Sequence, residues 1–266
     1  MMRVAQWKDL LGQEGSPLPV ALTIGNFDSL HIGHQRLMRA VVENDCGAVA
    51  SVCTFTRNPA AVLGSRPFPG SILSFDQKIE KLESLGIALV VLIDFSLEIS
   101  KLAGKSFLDL LASRLDIKKL VVGYDFHMGR GRDTNPQELV RILTGSGTEL
   151  EIIPASTYLE QTVSSSRIRE LIIEGRLAEA KEMLKDDFRL DLRGVPIQRR
   201  GSSSWVQRSA LGQVLPHHGT YAVLFTADGG EFPGAITIEE QGLSWQGEFA
   251  GTESEIRFLT GGKQCR

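Results

Sequence analysis

Cysteine is scarce in this 266-residue chain, with only Cys46, Cys53 and Cys265. These form no CxxC pair and no Cys/His cluster, so their spacing offers neither a disulfide framework nor a zinc site. Such usage fits a reducing, cytoplasmic setting. Long apolar runs are missing as well. Nothing approaches the roughly 20 residues needed to span a bilayer, and the opening MMRVAQWKDLLGQEG has no signal-peptide core. There is no excess of charge of one sign: 29 Lys and Arg face 32 Asp and Glu, a net charge of −3, which leaves no basic footprint for nucleic acid. The 42% hydrophobic and 23% charged residues exclude disorder and collagen. The length suits one large or two modest domains.

The first part of the chain alternates strand-like and helix-like segments. Apolar runs at Val20–Ile24, Ala48–Phe55, Leu89–Phe95, Leu120–Gly123 and Leu150–Pro154 read as strands covered on both faces. Between them, Ser74-Phe75-Asp76-Gln77 reads as a capping box opening a helix to about Leu85, closed by Gly86. Asn135-Pro136 with Glu138 reads as an N-cap, an N1 proline and a first-turn acid. Ser106–Leu115 and Arg167–Glu174 carry helical spacing. The alternation predicts a Rossmann-like α/β fold, a doubly wound parallel sheet with ligands at the carboxyl ends of its strands. Composition changes near Asp186-Asp187: 12 glycines fall in the last 80 residues against 15 in the preceding 186. Short runs at Tyr221–Phe225 and Ala235–Ile238, with a turn at Asp228-Gly229-Gly230, predict a small antiparallel β domain over 187–266 after a nucleotide-binding domain over 1–186. Arg199–Ser204 reads as a mobile loop.

The chemistry concentrates after the first of these strands, in Thr23-Ile24-Gly25-Asn26-Phe27-Asp28-Ser29-Leu30-His31-Ile32-Gly33-His34, which leads into a helix over Gln35–Val42. Gly25 permits a tight exit from the strand. A helix start offers backbone N–H groups and a positive dipole end to phosphate. His31 and His34 can donate N–H bonds to an anion or take a proton as its charge develops. Gly33 removes a side chain that would keep a nucleotide off the helix. Two histidines that merely cap a helix are the alternative. Val163-Ser164-Ser165-Ser166-Arg167-Ile168-Arg169 places hydroxyls at another helix start and Arg169 one turn in, as a phosphate site or as a capped helix with a basic face. Gly123-Tyr124-Asp125-Phe126-His127-Met128-Gly129-Arg130-Gly131-Arg132 is a glycine-rich basic loop after a strand, suited to an anionic ligand or to a plain surface loop.

TIGNFDSLHIGHQ resembles the nucleotide-binding signature of bacterial FAD synthetases, the riboflavin kinase/FMN adenylyltransferases of the HxGH nucleotidyltransferase superfamily. The SSSRIR block resembles that superfamily's Ser-Ser-Thr-x-Ile-Arg motif, with Ser166 in the threonine place. The GYDFHMG block resembles the family's Gly-x-Asp-Phe-Arg-Phe-Gly, with His127 and Met128 replacing Arg and Phe. Thr54-Phe55-Thr56-Arg57-Asn58-Pro59 stands where the family has Thr-Phe-Asp-Pro-His-Pro beside its flavin phosphate site, and Ser29 replaces a glycine. The resemblance runs over about residues 18–187. It implies an FMN adenylyltransferase that joins ATP and FMN to give FAD and pyrophosphate, with Mg²⁺ accompanying the ATP. His31 and His34 would be catalytic. Gly25, Asn26, Phe27, Asp28, Gly33, Gly123, Asp125, Ser165, Ser166 and Arg169 would serve ATP, and Arg57 and Asn58 the flavin.

The family continues into a riboflavin kinase barrel marked by a Gly-Phe-Pro-Thr-Ala-Asn loop. Here Arg199-Arg200-Gly201-Ser202-Ser203-Ser204-Trp205 takes that place, and Glu255-Ile256-Arg257-Phe258 resembles the segment with the kinase glutamate. A barrel-like remnant without kinase activity is therefore expected. The alternatives are transfer to another phosphorylated acceptor, phosphopantetheine or nicotinamide mononucleotide, and a regulatory module that binds flavin or nucleotide without turnover.

Overall fold

Parallel strands with two covered faces become near-continuous apolar runs, and in the computed structural model those runs form one sheet. Residues 1–11, 16–63, 67–94, 97–228, 230–247 and 253–260 are described; Cys265 and Gly229 of the expected turn lie outside them. The sheet contains β1 (Arg3–Gln6), β2 (Leu18–Ile24), β3 (Val49–Phe55), β4 (Leu89–Ile93), β5 (Leu115–Gly123) and β6 (Glu149–Ile153). Its order is β1-β4-β3-β2-β5-β6, and every pairing is parallel. Chain direction across the sheet reverses between β2 and β5, which sets a crevice at their carboxyl ends. Val20, Leu22, Val91, Ile93, Leu120 and Val122 belong to the core on one side of this sheet. At the β6 edge, Lys119 of β5 forms ion pairs with Glu149 (3.2 Å) and Glu151 (2.8 Å).

Helix boundaries follow their caps. After α1 (Trp7–Leu11), α2 (Ile32–Val42) buries Leu37, Met38 and Val41, and α3 (Pro59–Leu63) is a short turn. In α4 (Phe75–Ser84) the capping box closes reciprocally: Gln77 N donates to Ser74 Oγ and Ser74 N donates to Gln77 Oε1, both 3.1 Å. Asn135 Oδ1 accepts from Glu138 N at 3.0 Å ahead of the helix Pro136–Leu143. One expected helix is shorter: it covers Gly104–Ala112, and Leu115 opens β5 instead, with its side chain in the core. The strand β1 and helix α1 were not anticipated from sequence.

The chain divides into two compact units, Met1–Pro67 with Lys78–Thr157, and Phe68–Gln77 with Tyr158–Arg266. By compactness the division therefore lies elsewhere than residue 186. The second unit holds the helices Ser165–Ile173 and Leu177–Leu184 and an antiparallel seven-stranded sheet. That sheet is led by the long hairpin Gly219–Ala227 with Gly230–Glu239. Arg199–Ser204, expected to be a mobile loop, is a hairpin instead: Gln198–Arg200 pairs with Ser203–Gln207 around Gly201. Ser204 and Val206 both point inward, so a serine occupies a core-facing position and hides the period of two.

Candidate active site

The β2–α2 loop is built around two left-handed residues that are not glycine, Phe27 (φ 50°) and Leu30 (φ 45°), both buried. Such conformations cost on the order of 1–3 kcal/mol each and persist only where surrounding contacts fix them. Phe27 folds back over Gly25, where a Cβ would lie 2.8 Å from the ring, so residue 25 must be glycine for this turn to close. The same ring meets His34 edge-on, with centroids 5.2 Å apart.

His31 is the N-cap of α2. Its Nδ1 accepts from Gly33 N (3.2 Å) and His34 N (3.3 Å). This corrects the expectation of free backbone donors at this helix start, because the imidazole takes two of them. A ring that accepts through Nδ1 carries its proton on Nε2. Gly33 is explained in the same way: a Cβ there would lie 3.1 Å from His31 Cε1, pressing the capping ring itself. The two imidazoles stack with centroids 3.8 Å apart. Burial holds His31 down to about 4, although a hydrogen bond with its own backbone and the charge of Asp125 oppose the shift. Burial and the neighbouring His31 hold His34 well below the ordinary histidine value. In the free protein both rings are neutral donors at pH 7, and anionic phosphates brought alongside would raise both values. His34 Nδ1 is buried without a hydrogen-bond partner among the described residues.

A polar clamp fixes this loop to the end of β3. Thr54 Oγ1 donates to Asn26 O at 3.1 Å, and Lys78 Nζ donates to Phe55 O at 2.8 Å. Asn58 Nδ2 donates to Asp28 Oδ1 at 3.1 Å, while Asn58 Oδ1 accepts from Ala60 N at the start of α3. Asn58, expected beside the flavin, thus tethers Asp28. Lys78 is buried, and desolvation lowers its amine to about 8 against the favourable field of Asp28. The stretch around Lys78 belongs to the family resemblance, but its burial carries no sequence signal, because one lysine on an amphipathic helix reads as solvated. Arg57 sits exposed on the same connection, 3.7 Å from Asp94.

After β5, Gly123 leaves room for the carboxylate of Asp125, which a Cβ there would approach to 3.2 Å. Asp125 is exposed and near enough to His31 to act on it electrostatically. A cavity of about 530 Å³ opens between the strand ends, lined mainly by Ile24, Phe55, Ile99, Leu102, Phe107 and Phe126, with Gly25 and Asn26 on one side and Arg132 at its border. A second, polar groove of about 440 Å³ runs from Ile32 along Gln35, Arg36 and Arg39 to Ser156 and Thr157. Neither lining was legible in sequence, since each gathers residues from separate connections.

The first unit therefore brings together His31, His34, Gly25, Asn26, Phe27, Asp28, Gly33, Asn58, Gly123 and Asp125. Ser165, Ser166 and Arg169 belong to the second unit. There Ser164 caps its helix by accepting from Arg167 N at 3.2 Å, and Ser165 and Ser166 form the first turn. Arg169 Nε donates to Gly70 O at 3.1 Å, with its guanidinium 5.3 Å from the centre of the Phe68 ring. Elsewhere in this unit, Glu255 accepts from Gln77 Nε2 (3.1 Å) and pairs with Arg189 (3.3 Å). Glu253, fully buried, pairs with Arg199 and accepts from Trp245 Nε1 at 3.2 Å.

Known proteins match on sequence and on fold. The model of a family described as FAD synthetase matches residues 14–167. The bifunctional riboflavin kinase/FMN adenylyltransferase of Listeria monocytogenes is 25% identical over 92% of this chain and 84% of its own length. The protein of the same description from Escherichia coli K12 is 29% identical over 76% of this chain and 66% of its own. A solved structure described as a macrolide-efflux protein from Streptococcus pneumoniae shares the fold, with a TM-score of 0.81 at 22% identity, covering 97% of this chain and 90% of that one.

Proposed function

The chain belongs to the FAD synthetase family, and from that premise we propose that its first unit transfers the adenylyl group of ATP to FMN, giving FAD and pyrophosphate. The observation that carries this reading is the apolar cavity at the strand ends. Its size falls in the range of small-molecule sites, and its Phe, Ile and Leu lining suits a planar isoalloxazine ring better than phosphopantetheine or a nicotinamide nucleotide. The groove with Arg36 and Arg39 begins at Ile32 and suits the anionic nucleotide.

A phosphate oxygen of FMN attacks the α-phosphorus of ATP in line, the bond from that phosphorus to the bridging oxygen breaks, and pyrophosphate leaves. No enzyme nucleophile is needed, so the protein's work is alignment and charge stabilisation. His31 carries Nε2–H in its capping position, and His34, braced by Phe27, stacks behind it. Asp125, Ser165, Ser166 and Arg169 are assigned to ATP. Mg²⁺ enters with the nucleotide: among the described residues no three of His, Cys, Asp and Glu come together as a ligand set. A cytoplasmic setting belongs to the same reading, supported by the unpaired Cys46 and Cys53. Among the described residues no helix is long and apolar enough to cross a membrane.

Riboflavin kinase activity is absent in this reading. The glutamate that matches the kinase segment, Glu255, is engaged by Arg189 and Gln77. The segment in place of the kinase loop is folded into a hairpin. Purified protein with ATP, Mg²⁺ and FMN should form FAD by chromatography, and with riboflavin in place of FMN should form neither FMN nor FAD. No FAD in the first reaction overturns the transferase reading, and repeated FMN formation in the second overturns the loss of the kinase.

A further inference from the structure

The apolar cavity explains how a flavin ring is held but not how a phosphorylated flavin is told from riboflavin. The loop after β5 carries a cation at the cavity border. Gly129, Gly131 and Arg132 all have positive φ, at 80°, 66° and 62°. For arginine this is a strained conformation, and the loop is tied down around it: Arg132 N donates to Gly129 O (3.0 Å), Arg130 N to Leu102 O (2.8 Å), and Met128 and Thr134 exchange backbone bonds. The backbone bonds fix the point from which the Arg132 side chain leaves the loop.

A polar neighbour of Arg132 is His127. Its Nδ1 lies 2.7 Å from the carbonyl of Asp125 and 3.0 Å from Arg132 Nη2. A nitrogen that donates to the carbonyl has no lone pair left for the guanidinium, so His127 does not satisfy Arg132. No carboxylate lies within ion-pair distance of Arg132 among the described residues. His127 itself stands where the family block has arginine. Arg132 lines the same cavity as Gly25 and Asn26 of the histidine loop, and its guanidinium keeps donors available there. The reacting phosphate of a flavin seated in the cavity has to lie between that cavity and the histidines.

We propose that Arg132 is the specificity residue that binds the acceptor's phosphomonoester. It selects FMN over riboflavin by charge-assisted hydrogen bonds, a geometry that a guanidinium serves well. The inference rests on the reading of FMN as acceptor. The test is a fluorescence titration with FMN and with riboflavin, without ATP, on the full chain. Wild type should bind FMN more tightly. R132M should weaken FMN by ~10- to 100-fold, the size of a lost hydrogen bond to a charged group, while riboflavin affinity and the thermal midpoint stay unchanged. R132K should keep part of the preference. Equal weakening of both flavins, no weakening of either, or loss of the preference in R57M rather than R132M overturns the proposal. Binding of neither flavin to wild type removes the acceptor reading and the proposal together.

Discussion

The two units handle charge in opposite ways. In the second, arginines meet carboxylates of their own unit: Arg189 with Asp186 and Glu255, Arg193 with Asp191, Arg199 with Glu253 and Arg257 with Glu231. In the first, the strand ends keep a cation with no carboxylate partner among the described residues, the guanidinium of Arg132, beside the neutral imidazoles of His31 and His34. A pair satisfied at home is already desolvated and neutralised, so a substrate gains little by competing for it. A donor fixed in place but left unanswered is prepared for a ligand and needs no rearrangement when the charge arrives. The contrast distinguishes the two units more clearly than residue type does, since both are rich in Arg and Ser.

The largest test of this contrast is kinetic. His31→Ala and His34→Ala should each reduce FAD formation on the order of 10²- to 10³-fold, as expected for loss of a charge-stabilising donor. Glu255→Gln should leave the rate per folded molecule unchanged. Similar losses in all three would erase the distinction between the units.

A pH series sharpens it next. His31 is held at about 4 in the folded protein and returns to about 6.5 when unfolded. Between those values the unfolded chain binds more protons, so stability rises with pH there. The contribution of His31 is full above pH 6.5 and lost as the pH falls to about 4, a total on the order of 3 kcal/mol. His31→Asn keeps an N-cap acceptor without the titration. Its urea midpoint should fall less between pH 7 and pH 5 than that of wild type. Parallel curves would mean that the ring is not a buried neutral cap.

The smallest expected effect lies in the second unit. Glu253→Gln removes the counter-charge of Arg199 from a fully buried position. Arg199 is partly exposed and can turn to water, so the cost should be about 2 kcal/mol, nearer a lost charged hydrogen bond than a stranded ion. Urea unfolding measures it, and FAD formation per folded molecule should not change. A loss of activity larger than the loss of folded protein would tie this pair to catalysis.

The sequence was most legible where one local rule decides the outcome. The Ser74–Gln77 box and the Asn135 cap follow from short spacings, and the apolar runs of β2 to β6 from burial on both faces. The histidine motif was legible as a strand–loop–helix start, but not the division of labour within it. That Nδ1 of His31 would answer Gly33 and His34 depends on a side-chain rotamer, which no spacing encodes. The Arg199–Ser204 hairpin was misread because Ser204 occupies an inward position, satisfied by the Arg199 guanidinium at 3.3 Å, so a core position looked polar. Lys78 and the cavity were illegible for another reason. Their neighbours come from several connections whose proximity exists only after the sheet has formed.

Among the described residues the sheet has six strands, and its β6 edge carries charges that oppose extension by another copy. Glu149 and Glu151 stand on one face of that strand and lean onto Lys119 of the next. A second chain adding its own β6 alongside would bring its two carboxylates against these two, with one lysine per copy to offset them. Like charges facing across a strand pair oppose association. Ile152, exposed, lies on the opposite face of the same strand. The protection by like charge is ionic, and it weakens as the screening length shrinks from about 10 Å at 0.1 M salt to about 3 Å at 1 M. Concentrated salt is accordingly the condition in which this edge is most open to pairing with the same edge of a second copy.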